Sequence, residues 1–162
     1  MNAAAIVYTS QTGFTARYAA LLAERTGLPC RPLKEAAALP RGTAVIYLGW
    51  LCAGGIKGLK EARRRPEAAA VCAVGMAAEV EEAKLRRDNR LEGVPLFYLR
   101  GGYAPEKLTG FYRAMMAPMA RLVSRAPAET EADRAMRDAF RDGGDWVSPE
   151  RLAPVLAWLD GD

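Results

Sequence analysis

The chain contains no histidine. That absence removes His-based catalytic triads, an imidazole general base and histidine metal ligands together. Cysteine does not fill the gap. The three present, Cys30, Cys52 and Cys72, form no C-x-x-C pair, and an odd number cannot all pair within one chain. They fit a reduced, cytoplasmic setting, and no metal site is expected. Long apolar runs are missing as well. The longest small-apolar stretch, "AAAVCAVGMAA", is too short to span a bilayer, and "MNAAAIVYTS" has neither the basic start nor the apolar core of a signal peptide. Repeats and linker-like tracts are also absent, so the 162 residues read as one domain spanning 1–162. The formal charge of +4 is modest, and the basic residues are scattered apart from Arg63-Arg64-Arg65, which reads as a solvated face. No nucleic-acid partner is expected.

What is present is an alternation. Four runs, "AAIVYT" (4–9), "AVIYLG" (44–49), "AVCAVG" (70–75) and "PLFYLRG" (95–101), are apolar at consecutive positions, as strands buried on both faces of a parallel sheet must be. A weaker strand, "CRPLKE" (30–35), holds Pro32 and is tolerable only at a sheet edge. Helical segments separate the runs. "FTARYAALLAERTG" carries Tyr18, Leu21 and Leu22 at helical spacing and ends on Gly27; "IKGLKEARRRP" stops at Pro66; "AEVEEAKLRRDNR" is a charged surface helix. The fold class expected is α/β, a doubly wound five-stranded parallel sheet of order 2-1-3-4-5 with helices on both faces.

Beyond residue 104, "PEKLTGFYRAMMAPMARLV" predicts a helix kinked or interrupted at Pro118. "TEADRAMRDAFRDGG" follows, then "SPERLAPVLAWLDG" with Ser148 as N-cap and Pro149 in the first turn.

Between the first strand and first helix lies Ser10-Gln11-Thr12-Gly13-Phe14-Thr15. The unpaired N–H groups of the helix start, the helix dipole and the hydroxyls of Ser10, Thr12 and Thr15 suit an anion, and Gly13 permits close backbone approach. No lysine accompanies them. A phosphate held here is a handle rather than a migrating group, since phosphoryl transfer needs a cation on the γ-phosphate. An N-capping loop is the plainer alternative. Walker and dinucleotide glycine motifs are absent, no Asp ends the third strand, and no Cys is followed by five residues and then Arg.

At these residues the chain resembles the flavodoxin family. S-x-T-G-x-T is that family's FMN-phosphate loop, and Ser10 to Thr15 fits it at every fixed position. The resemblance continues in the glycine-containing loop after strand three, Gly49-Trp50-Leu51-Cys52-Ala53-Gly54-Gly55, and in the turn after strand four, Gly75-Met76-Ala77-Ala78. "GVPLFYLRGGYAPEKLTGFYRAMM" and "DWVSPERLAPVLAWL" look like the flavodoxin-domain subgroup related to menaquinone-dependent protoporphyrinogen oxidase. The resemblance implies FMN as cofactor, held by Ser10, Gln11, Thr12, Gly13, Phe14 and Thr15. Trp50, Leu51, Cys52, Ala53, Gly54, Gly55, Gly75, Met76, Ala77 and Ala78 would line its ring. It implies electron transfer or an FMN-dependent oxidoreductase activity, with a redox partner or a small-molecule acceptor of the quinone or porphyrinogen kind. Electron-carrying flavodoxins are strongly acidic and usually carry a tyrosine after strand four. This chain is basic and has Met76-Ala77-Ala78-Glu79 there, which argues against a ferredoxin-substituting shuttle. A non-catalytic module that keeps the fold without a working flavin site stays open.

Several single residues have two readings. Trp50 is either a flavin contact or a core tryptophan. Cys52 reads as an ordinary small buried residue. Tyr103 reads first as a cap for the helix starting near Pro105, second as a contact to flavin or substrate. The Met-rich "FYRAMMAPMARLV" reads first as the core face of a helix, second as an adaptable surface for a partner or for peripheral membrane contact. Glu79, Glu81 and Glu82 read as dipole partners at a helix start.

Overall fold

Consecutive apolar residues along a strand demand cover on both faces, and they receive it in the computed structural model, which describes residues 2–64 and 66–161. Strands β1 (Ala5–Thr9), β2 (Cys30–Pro32), β3 (Ala44–Cys52), β5 (Glu67–Gly75) and β6 (Leu96–Arg100) form a parallel sheet, and the short β4 (Gly55–Ile56) turns back antiparallel on β3. The parallel strands run β2-β1-β3-β5-β6. Taken first to fifth along the chain, that is the flavodoxin-like order 2-1-3-4-5. The extra strand β4 is the one departure from the expected sheet.

Alternate side chains sort to opposite layers. Val7, Val45, Tyr47, Val71 and Ala73 pack beneath the 3-10 segment Leu33–Ala38, helix α2 (Leu59–Ala62) and helix α3 (Glu82–Asn89), through Ala36, Leu59, Ala62 and Leu85. Ile6, Ile46, Leu48, Cys72, Val74 and Leu99 pack against α1 (Phe14–Thr26) and the C-terminal α6 (Ala153–Asp160), through Tyr18, Ala19, Leu22 and Val155. The sheet is therefore wound on both faces. Pro32 lies on edge strand β2, where its missing N–H costs no ladder bond.

Local differences from expectation have physical causes. The strand at 30–35 stops at Pro32 and becomes a 3-10 turn. The helix expected over "IKGLKEARRRP" is a single turn, because Ile56 is taken by β4 and Gly58, at φ 77°, starts α2 afresh. Arg65, part of the expected arginine face, lies outside the described residues. Arg63 does more than face solvent: its guanidinium donates to the carbonyls of Asn89 (3.2 Å) and Arg90 (2.7 Å) at the end of α3. Helix α3 starts at Glu82 with Glu81 as its cap residue, so Glu79 precedes the helix.

Past β6 the chain leaves the sheet through β7 (Gly102–Tyr103) and returns through β8 (Gly144–Asp145), and these two pair antiparallel. Between them lie a 3-10 turn at Pro105–Lys107 and a helical hairpin of α4 (Gly110–Arg125) and α5 (Glu131–Asp142). The expected interruption at Pro118 is not seen; α4 continues through it. The carbonyl of Ala114, which loses its donor to the proline, belongs to an exposed residue. Thr130 and Asp133 form a reciprocal capping box at the start of α5. Ser148 caps no α-helix: a 3-10 turn, Pro149–Leu152, comes first, and the serine hydroxyl bonds the Glu150 carboxylate.

Burial fixes the alkaline limit of this core. Desolvation pushes Cys72 from 9.0 to about 12, and Tyr47 and Tyr98 from 10.0 to about 12. Each group in the unfolded chain releases its proton first, so the folded state binds more protons above the unfolded values. Stability is then complete below pH 9.0, falls as the unfolded thiol and phenols ionise, and is lost as pH approaches about 12. Urea midpoints across this range should show a Cys72→Ala variant declining less steeply above pH 9.0, because the share of the loss that belongs to this thiol is removed. Parallel curves for the two proteins would refute that assignment.

Candidate functional site

The hydroxyl loop sits at the C-terminal edge of the sheet, at the switch point where β1 and β3 are neighbours and their connections diverge. Gly13 takes φ 104°, a left-handed conformation open to glycine, and its N–H donates to Ser10 Oγ (3.2 Å). The helix then starts with no side-chain cap. Among the described residues, the amides of Phe14, Thr15 and Ala16 donate to no backbone acceptor outside the helix. They are the orphan donors of a first turn. Thr15 is buried, and Thr12 stands beside it at the cleft wall. This is a neutral, preorganised set of anion donors.

Around the loop opens a cleft of about 480 Å³. Its walls include Ser10, Gln11, Thr12, Phe14 and Thr15, then Trp50, Leu51, Cys52 and Ala53 from the end of β3, then Gly75 and Met76 from the end of β5. Gly13, Gly54, Gly55, Ala77 and Ala78 fall outside the lining. The reasons are local. Ala53 and Gly54 both have positive φ (50° and 82°), a two-residue hairpin turn that carries Gly54 and Gly55 away. Asn89 of α3 holds that hairpin: it accepts from the Ile56 amide (2.8 Å) and donates to the Gly54 carbonyl (2.9 Å). The turn after β5 is held from β6, with Tyr98 donating to the Ala77 carbonyl (2.7 Å) and Arg100 to the Met76 carbonyl (3.1 Å). Arg100 is itself stacked on Trp146, its guanidinium carbon 3.8 Å from the ring centroid.

The fourth wall comes from the Met-rich segment and Tyr103, which the sequence also allowed beside the mouth of the site. Leu108, Tyr112, Met115, Met116, Met119 and Val123, with Met136 and Phe140 of α5, close the cleft from the helical hairpin. This corrects the core-face expectation for the Met-rich segment, since no residue of α4 is buried. Its methionines face the cleft instead. The cap expectation for Tyr103 is also corrected: β7 pairing with β8 orients its ring onto Phe140 (centroids 5.0 Å apart), along the cleft wall. Burial raises the Tyr103 phenol above its ordinary value, so it stays a protonated hydrogen-bond donor at neutral pH. Trp50 is half-buried and meets Tyr112 edge-on at 5.1 Å, with Lys57 Nζ 5.8 Å from its ring. Cys52 is half-buried too, its Sγ 4.0 Å from Met115 Sδ. Gly102 also lines the cleft and lies close to Phe14: a Cβ there would stand 2.5 Å from the Phe14 ring.

Chemically the cleft is uniform. None of its lining residues is Asp, Glu, Lys or Arg, so it offers no carboxylate or ammonium for acid–base work. It can bind a flat apolar body and, at one end, an anion. Among the described residues no group of three or more His, Cys, Asp or Glu side chains is placed to hold a metal ion. No helix among them is long and apolar enough to cross a membrane. No protein-family model matches the chain, and a search of curated proteins finds no match either.

Proposed function

We propose that this protein is a flavodoxin-like FMN-binding flavoprotein that acts in electron transfer or as an oxidoreductase. One observation carries the proposal: a neutral anion-donor loop opens into an uncharged apolar cleft at the switch point of a 2-1-3-4-5 sheet. The donor set suits a phosphate monoester: among the described residues the amides of Phe14, Thr15 and Ala16 lack a backbone acceptor outside the helix, and Thr12 and Thr15 line the same end of the cleft. The volume, about 480 Å³, falls within the usual range for small-molecule sites, and its walls fit a flat ring. FMN, when bound, supplies reversible hydride or electron transfer, and the protein supplies position and electrostatics.

The chain's own residues would divide that work. Ser10 shapes the loop by accepting from Gly13. Trp50 to Ala53 and Gly75 to Met76 would border the ring, while the hairpin methionines would exclude water. Tyr103 would donate a hydrogen bond. Although residues 76–79 hold no tyrosine, Trp50, Tyr103 and Tyr112 give the cleft aromatic walls that would support a flat ring. An uncharged mouth favours an uncharged or amphipathic second reactant of the quinone or porphyrinogen class over a highly charged one. Three free cysteines, Cys30, Cys52 and Cys72, suit a reducing cytoplasmic setting.

Tryptophan fluorescence tests the placement. Trp50 lines the cleft, whereas Trp146 lies under Arg100 and Trp158 beside Phe97 (centroids 6.4 Å apart). FMN should quench the emission, and Trp50→Ala should remove most of that change while FMN still binds. Undiminished quenching in the variant would place the flavin elsewhere.

A further inference from the structure

Helix α4 has sixteen residues and buries none of them. The large apolar side chains that stand most exposed all belong to it: Phe111 is 72% exposed, Leu122 68% and Met119 50%. At 3.6 residues per turn, Phe111 and Leu122 lie about three turns apart and therefore on nearly one line along the helix. Met119 sits between that line and the cleft, which it also borders. The apolar arc of α4 is thus wider than the cleft it covers, and its outer edge has no cover within the fold.

Charge flanks that edge on one side. Arg121 and Arg125 fall about a quarter-turn or less from the Phe111–Leu122 line, Arg113 lies further round, and α4 contains no acidic residue. The hairpin's carboxylates are on α5 and its entry, where Asp138 and Asp142 pair with Arg141 and Asp133 caps the helix. Among the described residues, none of the three α4 arginines takes part in an ion pair. A cationic helix with an exposed apolar edge is the composition of an in-plane membrane helix.

We infer that α4 docks the protein on an anionic membrane surface, with Phe111 and Leu122 entering the interface and Arg121 and Arg125 meeting lipid phosphates. Charge complementarity selects this occupant over a second copy. A two-fold pairing of the same edge would set Arg121 and Arg125 against their own counterparts. Three exposed side chains also make a small patch beside the roughly 800 Å² per partner of a standard interface. A lipid surface needs no such area, since each arginine near it adds attraction. Docked this way, the cleft wall formed by Met115 and Met119 lies next to the bilayer. A lipid-borne reactant would meet the cleft there without crossing water. The docking itself stands independently of what the cleft holds.

Co-sedimentation of the full chain with large vesicles tests it, using phosphatidylcholine alone and phosphatidylcholine mixed with phosphatidylglycerol. The protein should pellet with the anionic vesicles, remain in the supernatant with the neutral ones, and be released as salt is raised. Arg121→Gln and Arg125→Gln should each weaken partitioning about fivefold. Phe111→Ser with Leu122→Ser should weaken it roughly tenfold or more, with unchanged far-ultraviolet dichroism, because both side chains are solvated in the free protein. Failure to bind anionic vesicles, equal binding to neutral ones, or undiminished binding by the serine variant would overturn the inference. So would a stable dimer, seen by light scattering, that the serine substitutions dissociate.

Discussion

Replacing Thr12 and Thr15 together by valine should weaken FMN binding by about 3 kcal/mol or more, roughly a hundredfold, and leave riboflavin binding almost unchanged. Valine keeps the β-branched shape, so packing at the buried Thr15 is preserved and only the hydroxyls are lost. A hydrogen bond to a charged group is worth about 1.5–3 kcal/mol, and two are removed. The remaining donors, the amides of Phe14, Thr15 and Ala16, are untouched by the substitution, so some phosphate preference should persist. Riboflavin lacks the phosphate and never used these groups. Calorimetric titration of both ligands into both proteins checks this. Equal losses for FMN and riboflavin would mean that the loop does not hold the phosphate.

Gly58→Ala should lower stability by about 2–5 kcal/mol and the thermal midpoint by roughly 5–15 °C. Two costs combine at this position. The backbone holds φ 77°, which disfavours any side chain, and the new Cβ would meet the Tyr47 hydroxyl, Thr9 Oγ1 at 2.5 Å and Leu33 Cδ2 at 2.7 Å. Tyr47 cannot step aside, being fully buried, with its hydroxyl bonded to Thr9 Oγ1 (2.8 Å) and to the Lys57 carbonyl. Gly27→Ala separates the two costs: Gly27 has φ 70° but nothing within 4 Å of its added Cβ. It should lose only about 1–2 kcal/mol. Similar losses at both sites would show that crowding at Tyr47 is unimportant. Because Thr9 leads directly into the hydroxyl loop, the Gly58 variant that survives folding should also bind FMN less tightly.

The sheet was legible because its information is local. Val45, Ile46, Tyr47 and Leu48 are apolar in succession, and all are fully buried between two helical layers. Pro32 marked its own edge strand. The loop from Ser10 to Thr15 was legible for the same reason, a glycine and hydroxyls between a clear strand and a clear helix. The ring-side loops were legible only in part. Nothing in "WLCAGG" announces a tight hairpin through Ala53 and Gly54, and its anchor, Asn89, comes from a distant helix. The same holds for Tyr98 and Arg100, which shape the turn at Met76 and Ala77 from the neighbouring strand.

The hairpin wall was legible only in part. Its helices could be read from "FYRAMMAPMARLV" and "TEADRAMRDAFRDGG", but their placement depends on pairing Gly102 with Asp145 and Tyr103 with Gly144. Strands of two residues have no periodicity to detect. The apolar stripe of α4 was visible, yet periodicity alone does not distinguish a stripe facing the core from one facing a cleft and solvent.

The central claim is that the cleft binds FMN by its phosphate and ring. Its most direct measurement is the visible absorption and fluorescence of the purified protein, titrated with FMN after removal of any bound flavin. Saturation at one FMN per chain is expected, with a perturbed flavin spectrum and much weaker binding of riboflavin. A protein that stays colourless after exposure to FMN, and leaves the flavin spectrum and emission unaltered, would contradict the claim.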